Sequence, residues 1–351
     1  MGKTETLIIL SPGFPESESD STCLPHIQQF CRLLAEEYPH VQIVVIAFQY
    51  PFRKRSSTWH SIKVHAIGGR NRKKLRRLFT WVRVYRKLNT LKKENHVIGI
   101  LSLWLGETAL IGKLFASRHK LRHYIWLQGQ DARASNRYVR RVDPASESLL
   151  CISEFNRVEL QTHHGRKAHS IVPNGVNENA FPALNTGARA IDLLGVGSLI
   201  PLKNYASFIR ILHELKKNRP GIQAVLAGDG PEARELSDLA FRLGLQHNLK
   251  LVGSVPHQKI FDLMNNSKIF LHTSTYEGMS TVCLEALYSG CKVFSSISAG
   301  EEEEAYIKIF KNEEEAVVQI SAVLDSPFVA NRIKPHDMRN SVRKIMELYL
   351  G

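Results

Sequence analysis

Thr275-Tyr-Glu-Gly-Met-Ser-Thr-Val-Cys-Leu-Glu-Ala-Leu-Tyr-Ser-Gly-Cys291 follows directly on a short apolar run, Ile269-Phe-Leu-His. The run has the length and composition of a buried strand, and Thr281 to Ser289 has those of a helix. Between them Gly278 opens a turn and Ser280-Thr281 starts the helix, so the stretch is a strand-loop-helix joint. Glu277 and Glu285 stand in it with seven residues between them. That spacing puts Glu277 in the loop at the strand's end and Glu285 inside the helix, about two helical turns of chain beyond Glu277. The backbone N–H groups near Met279 to Val282 have no partners within the helix, which makes its start an anion site of the kind a diphosphate occupies.

The same alternation runs outward in both directions. Upstream lie a strand at Asp192-Leu-Leu-Gly-Val-Gly, an amphipathic helix over Ala206 to Asn218 and a strand at Gln223-Ala-Val-Leu-Ala-Gly stopped by Asp229-Gly-Pro. A helix over Glu232 to Leu243, a strand at Leu249-Lys-Leu-Val and a helix over His257 to Asn265 follow, and Lys292-Val-Phe-Ser is a further strand. The first half repeats the pattern, with strands at Thr6 to Leu10, Val41 to Ala47, Val97 to Leu101, Tyr124 to Leu127 and Leu149 to Ile152. Helical stretches run over Leu24 to Tyr38, Glu107 to Ser117 and Glu154 to His163, and Ser11-Pro-Gly-Phe-Pro reads as a tight loop. Strands alternating with helices of this length imply parallel sheets covered on both faces. The expectation is an α/β chain of two Rossmann-like, doubly wound domains facing each other across a cleft. Residues 1–175 form the first, 176–190 a linker and 191–330 the second, and a helix in 331–351 packs back on the first domain. Ligands of such sheets bind beyond the carboxyl ends of the strands.

The net charge of +14 is unevenly placed: residues 1–175 carry +15 and the rest −1. Arg70 to Lys93 mixes cations, among them Arg72, Lys73, Lys74, Arg76 and Arg77, with Leu75, Leu78, Phe79, Val82, Tyr85 and Leu88 at helical steps. A basic amphipathic helix of this kind fits an anionic membrane surface; it also reads as a surface helix that packs its apolar stripe on the core and solvates its charges. No nucleic-acid-binding module is legible. No stretch reaches the roughly 18 apolar residues of a membrane span, and the start of the chain reads as a strand, so a cytoplasmic protein is expected, peripheral on the inner face of the membrane if the basic helix docks there. The five cysteines are scattered and form no Cys-x-x-Cys pair, so they are expected as reduced, mostly buried thiols.

The Glu-x7-Glu stretch, together with Val172-Pro-Asn-Gly-Val, Gly195-Val-Gly followed by Lys203-Asn204, Ala227-Gly-Asp-Gly-Pro and Val252-Gly-Ser-Val, resembles the retaining glycosyltransferases of the GT-B fold, the group 1 or family four enzymes. The resemblance covers Ile171 to Gly300; the first half matches in layout only. It implies a sugar transfer from a nucleotide diphosphate sugar, UDP- or GDP-linked, to a glycan or lipid-linked acceptor held by the first domain, in bacterial surface polysaccharide or lipopolysaccharide synthesis. Glu277 would contact the donor sugar hydroxyls, Glu285 the ribose hydroxyls, and Lys203 the diphosphate leaving group. Gly278, Met279, Ser280, Thr281, Ser198 and Val255 would line the donor, and Gly13 in Pro12-Gly-Phe-Pro would face its phosphates.

Two positions depart from the family's pattern. An Arg commonly precedes the phosphate Lys in Gly-Arg-Leu, where this chain has Gly197-Ser198-Leu199, and a first-domain His near the sugar is replaced within Trp126-Leu-Gln-Gly-Gln-Asp-Ala-Arg. Gln128, Gln130 or Asp131 would take that place, with Arg133 supplying charge. The chain has no Asp-x-Asp triplet, so metal-independent chemistry with no bound cofactor is expected, and Glu301 to Glu304 reads as a solvated run. Other readings within reach are a nucleotide-sugar epimerase, a phosphorylase or a non-catalytic nucleotide-sugar-binding protein.

Overall fold

A computed structural model describes residues 3–72, 75–298 and 305–351; Lys73, Lys74 and Glu301 to Glu304 lie outside the described residues. The chain forms two compact units, Met1–Asn177 with Met338–Gly351, and Glu178–Asp337.

In the first unit eight strands run β1 (Glu5–Gly13), β2 (Gln42–Tyr50), β3 (Arg55–Trp59), β4 (Ile62–Ala66), β5 (His96–Leu103), β6 (Arg122–Trp126), β7 (Leu149–Cys151) and β8 (Ser170–Ile171). Their order across the sheet is β3-β4-β2-β1-β5-β6-β7-β8, parallel except for the β3–β4 hairpin. Helices α1 (Pro25–Glu37), α2 (Leu75–Glu94), α3 (Glu107–His119), α4 (Tyr138–Val142) and α5 (Glu154–His164) are the crossovers. Leu7 to Leu10 and Ile43 to Phe48 are buried on both faces, which is why these strands read as continuous apolar runs rather than alternating ones.

The second unit has β9 (Ile191–Val196), β10 (Ala224–Ala227), β11 (Leu249–Gly253), β12 (Ser267–His272), β13 (Lys292–Ser295) and β14 (Ile307–Ile309). They lie in the order β11-β10-β9-β12-β13-β14, all parallel. Helices α6 (Tyr205–Asn218), α7 (Ala233–Arg242), α8 (His257–Asn265), α9 (Thr281–Tyr288) and α10 (Glu313–Leu324) cover the sheet. Successive strand residues point to opposite layers. Leu193, Leu226, Ile269, Leu271 and Phe294 pack with Phe208, Ile211 and Leu212 of α6. Their neighbours Leu194, Val225, Phe270 and Val293 pack instead with Phe261 and Met264 of α8 and with Cys283 and Leu287 of α9.

Several sequence expectations change. Residues 178–190 of the expected 176–190 linker are part of the second unit: the buried Arg189 guanidinium donates to the carbonyls of Ser267 at 2.7 Å and Ser289 at 2.9 Å, tying the start of β12 to the end of α9. Pro12 and Gly13 belong to β1 rather than to a loop, with Gly13 paired to Tyr50. The hairpin β3–β4 turns on His60 and Ser61, both at positive φ, where no Gly or Asn marks the turn. Residues 338–350 form α11 (Met338–Leu350), grouped with the first unit, where Ser341 Oγ donates to the Pro173 carbonyl at 2.6 Å and Tyr349 Oη to that of Ile100 at 2.7 Å.

Candidate functional site

In the second unit the strand order reverses between β9 and β12, from which the chain winds outward in opposite directions. The loops after these two strands diverge and leave a crevice at their carboxyl ends. Lys203 follows β9 and Glu277 follows β12, and the structure brings them together as a half-buried ion pair. The frame is backbone: Thr275 N–H donates to the Leu202 carbonyl at 2.9 Å and Thr273 Oγ1 to that of Lys203 at 2.9 Å. Two glycines make room. Gly197 has φ +153°, and a Cβ there would stand 2.7 Å from the Tyr205 hydroxyl; Gly228, φ +151°, would drive its Cβ to 1.8 Å from the Gly197 carbonyl oxygen. The turns after β9 and β10 therefore touch only because both residues are glycine.

Sequence reasoning missed His272, the last residue of β12. Its Nδ1 lies 2.9 Å from Ser295 Oγ, and its Nε2 is 3.4 Å from Ser280 Oγ and 3.9 Å from Glu277 Oε1. Burial works against the charged ring, but the Cys283 sulfur and the Glu277 carboxylate outweigh it and lift its pKa to about 9, with Lys203 opposing. Burial likewise works against an ionised Glu277, yet His272 and Lys203 hold its pKa below the ordinary value. A single His at a strand end has no spacing signature, so only the sheet register could have found it.

Glu285, on α9, is buried and pairs with a second unforeseen residue: His257 Nε2 is 3.0 Å from its Oε1. His257 opens α8, and its ring sits 4.4 Å from that of Phe261. Burial works against its charge, but attraction to the Glu285 carboxylate and the hydrogen bond donated to it raise its pKa. Gly278, Met279 and Ser280 are buried in the loop leading into α9, Thr281 is half-buried as its first residue, and Ser280 occupies the N-cap position. Ser198 is exposed after β9, and Val255, after β11, packs its side chain on the α8 layer.

The first-unit candidates behave differently. Gly13 is buried at the end of β1, where a Cβ would make only ordinary contacts, the nearest at 3.5 Å, so nothing there demands glycine. Asp131 is buried with its carboxylate taken by backbone amides: Leu105 N–H donates to Oδ2 at 2.9 Å and Gln128 N–H to Oδ1 at 3.1 Å. Burial raises its pKa to about 6 against those hydrogen bonds. It is a loop clamp. Arg133 is half-buried, its carbonyl contacted by His164 Nε2 at 2.9 Å. Gln128 Oε1 accepts from Asn174 Nδ2 at 3.3 Å, whereas its buried Nε2 finds no partner among the described residues. Of the basic segment, Arg72 and Arg76 are exposed and Arg77 is half-buried. Among the described residues no group of three or more His, Cys, Asp or Glu is arranged to hold a metal ion.

Two parallel doubly wound units of this topology make the GT-B fold. Along nearly its full length the chain is similar to the crystal structure of Anabaena Alr3699/HepE in complex with UDP and glucose, with a TM-score of 0.72 at 17% identity over 97% of this chain and 98% of that one. It is also similar to a glycosyltransferase from Rickettsia africae, with a TM-score of 0.73 at 13% identity over 98% of each chain. Residues 176–344 match the family model Glycosyl transferases group 1. Among sequence relatives, the GPI3 subunit of phosphatidylinositol N-acetylglucosaminyltransferase from Saccharomyces cerevisiae is 27% identical over 150 residues, 40% of this chain and 33% of that protein. The lipopolysaccharide core biosynthesis glycosyltransferase LpsD of Rhizobium meliloti is 23% identical over 159 residues, 44% of this chain and 45% of that protein. The chain thus spans between a third and a half of the length of these two relatives.

Proposed function

We propose that the protein is a retaining glycosyltransferase that moves a sugar from a UDP- or GDP-sugar to a glycan or lipid-linked acceptor, in the synthesis of a bacterial surface polysaccharide or lipopolysaccharide. The observation that carries the reading is the Lys203–Glu277 pair at the reversal of strand order, beside the start of α9. In this reading Glu285 accepts the two vicinal ribose hydroxyls, for which a carboxylate has the lone pairs. The amides at the start of α9 and the Lys203 ammonium receive the diphosphate. Glu277 contacts the sugar hydroxyls near the reacting carbon. As the bond from that carbon to the diphosphate oxygen breaks, negative charge grows on the leaving group and positive charge on the ring. Lys203 and the amides stabilise the first and the Glu277 carboxylate the second, so both interactions strengthen in the transition state. The acceptor hydroxyl then bonds to the carbon on the face the diphosphate leaves, and its proton passes to the departing phosphate oxygen. The acceptor is assigned to the first unit, and the reaction to the cytoplasm.

The test is donor turnover. UDP- and GDP-sugars are incubated with the protein and glycan or lipid-linked acceptors, and nucleoside diphosphate release and the anomeric configuration of the product are read. Release with retained configuration from one donor class is expected. An inverted product would remove the retaining mechanism, and isomerised donor without transfer would make the protein an epimerase.

A further inference from the structure

Helix α2 carries two apolar stripes. Val84, Leu88 and Leu91 are buried against β1, β2 and β5, with Trp81 and Tyr85 half-buried beside them. Leu78, Phe79 and Val82 stand outside that core and are 47%, 67% and 48% exposed. Isolated exposed apolar residues such as Val318 mean little; three within about one turn are a patch. At helical steps of three and four, Phe79 neighbours Arg76, Val82 and Arg83, and Val82 neighbours Arg86. The three arginines are exposed and are ion-paired to no carboxylate among the described residues.

The helix has no way to roll this stripe inward. Trp81 Nε1 donates to Glu107 Oε2 at 2.7 Å, and Arg77 Nη1 to the Tyr138 hydroxyl at 3.1 Å, both on the core side. The chain from β2 through α2 brings no acid of its own to offset these cations: there is no acidic residue between Glu37 and Glu94. His65 reports the same field from β4: burial, then Lys87 and Lys63, press its pKa down to about 4. A further exposed aromatic stands among cations in the loop after β2. Phe52, 51% exposed beside the exposed Arg53 and Lys54, is tied to the approach to α2 by Arg70 Nε donating to its carbonyl at 2.8 Å.

We propose that the outward face of α2 docks the first unit on an anionic lipid bilayer, with Leu78, Phe79 and Val82 in the acyl boundary and Arg76, Arg83 and Arg86 on the headgroup phosphates. The charge complementarity is to a plane of phosphates, and the aliphatic groups single out lipid: a nucleic acid or an acidic protein groove would match the guanidiniums and leave Leu78 and Val82 in water. Insertion instead removes their apolar surface from water without disturbing the fold. The proposal is independent of the donor site and gives the basic helix a partner of its own.

The test is partition of the whole protein onto phosphatidylglycerol-containing vesicles against pure phosphatidylcholine vesicles, at low and high salt. Wild type is expected to bind the anionic vesicles, and Trp in Phe79→Trp to be quenched by brominated acyl chains. Substituting Ser for Leu78, Phe79 and Val82 together should weaken binding about tenfold, and Gln for Arg76, Arg83 and Arg86 about a hundredfold. Neither variant should shift the melting temperature, because all six side chains lie on the surface. Equal binding to both vesicle types, no binding at all, or binding that the Ser variant keeps in full and brominated lipid leaves unquenched, would each overturn the proposal. The last outcome would point to a purely electrostatic partner.

Discussion

At the carboxyl ends of β9 and β12 in the second unit, charged side chains face one another. At the ends of β5 and β6 in the first unit, the comparable groups are consumed by the backbone. Glu277, half-buried, and Asp131, buried, make the contrast concrete: both are carboxylates that follow a strand. Side-chain cations hold the pKa of Glu277 down, whereas burial lifts that of Asp131 to about 6 while amides from two loops bind its oxygens. A carboxylate whose partners are mobile side chains can exchange them for a ligand. One whose partners are fixed amides holds a loop in place. Burial and a shifted pKa alone therefore do not mark a functional acid; the identity of the partners does.

The largest effect that would sharpen this contrast is on turnover. Lys203→Ala is expected to lower kcat by a hundred- to a thousandfold, about 3–4 kcal/mol of barrier, as removal of a transition-state charge donor does elsewhere. Full turnover measured as nucleoside diphosphate release would break the leaving-group assignment.

Next comes stability against pH. His272 is raised in the folded state from 6.5 to about 9, so its contribution is complete below pH 6.5 and is lost as the pH climbs toward 9. The loss is at most about 3 kcal/mol. Chemical denaturation across that range should show wild type weakening and His272→Gln nearly flat; parallel curves would mean that the ring is not charged.

Asp131→Asn should cost about 2 kcal/mol of stability, because amides that faced a carboxylate lose a charged acceptor, and it should leave nucleotide affinity unchanged. Weaker nucleotide binding in that variant at full stability would return Asp131 to the ligand. The smallest effect concerns His257, whose raised pKa makes its pair with Glu285 strongest below about pH 6.5 and weaker above. His257→Gln should remove only that slope, read by chemical denaturation on either side of pH 6.5.

Much of the fold was legible because buried parallel strands and the helices between them differ in period and length. α8 and β13 begin and end where the apolar pattern does. Short edge strands such as β8, two residues long, were not, since so brief a segment has no period. The site was half legible. Glu277, Glu285 and Lys203 follow from a spaced motif, whereas His257 and His272 become visible only once the ends of β11 and β12 are placed in one sheet. On α2 the sequence shows a single set of apolar residues at helical steps; contact with the core divides them into a buried stripe at Leu88 and an exposed one at Phe79. Periodicity alone cannot say which side a neighbour covers.

The most direct measurement is titration calorimetry of UDP and GDP, without added metal, into wild type and Glu285→Ala. The account predicts that one of the two nucleotides binds wild type and that the variant binds it at least tenfold more weakly, the loss of charged hydrogen bonds to a ribose. Equal affinity in both proteins, or no nucleotide binding in wild type, would contradict the placing of the donor site in the second unit.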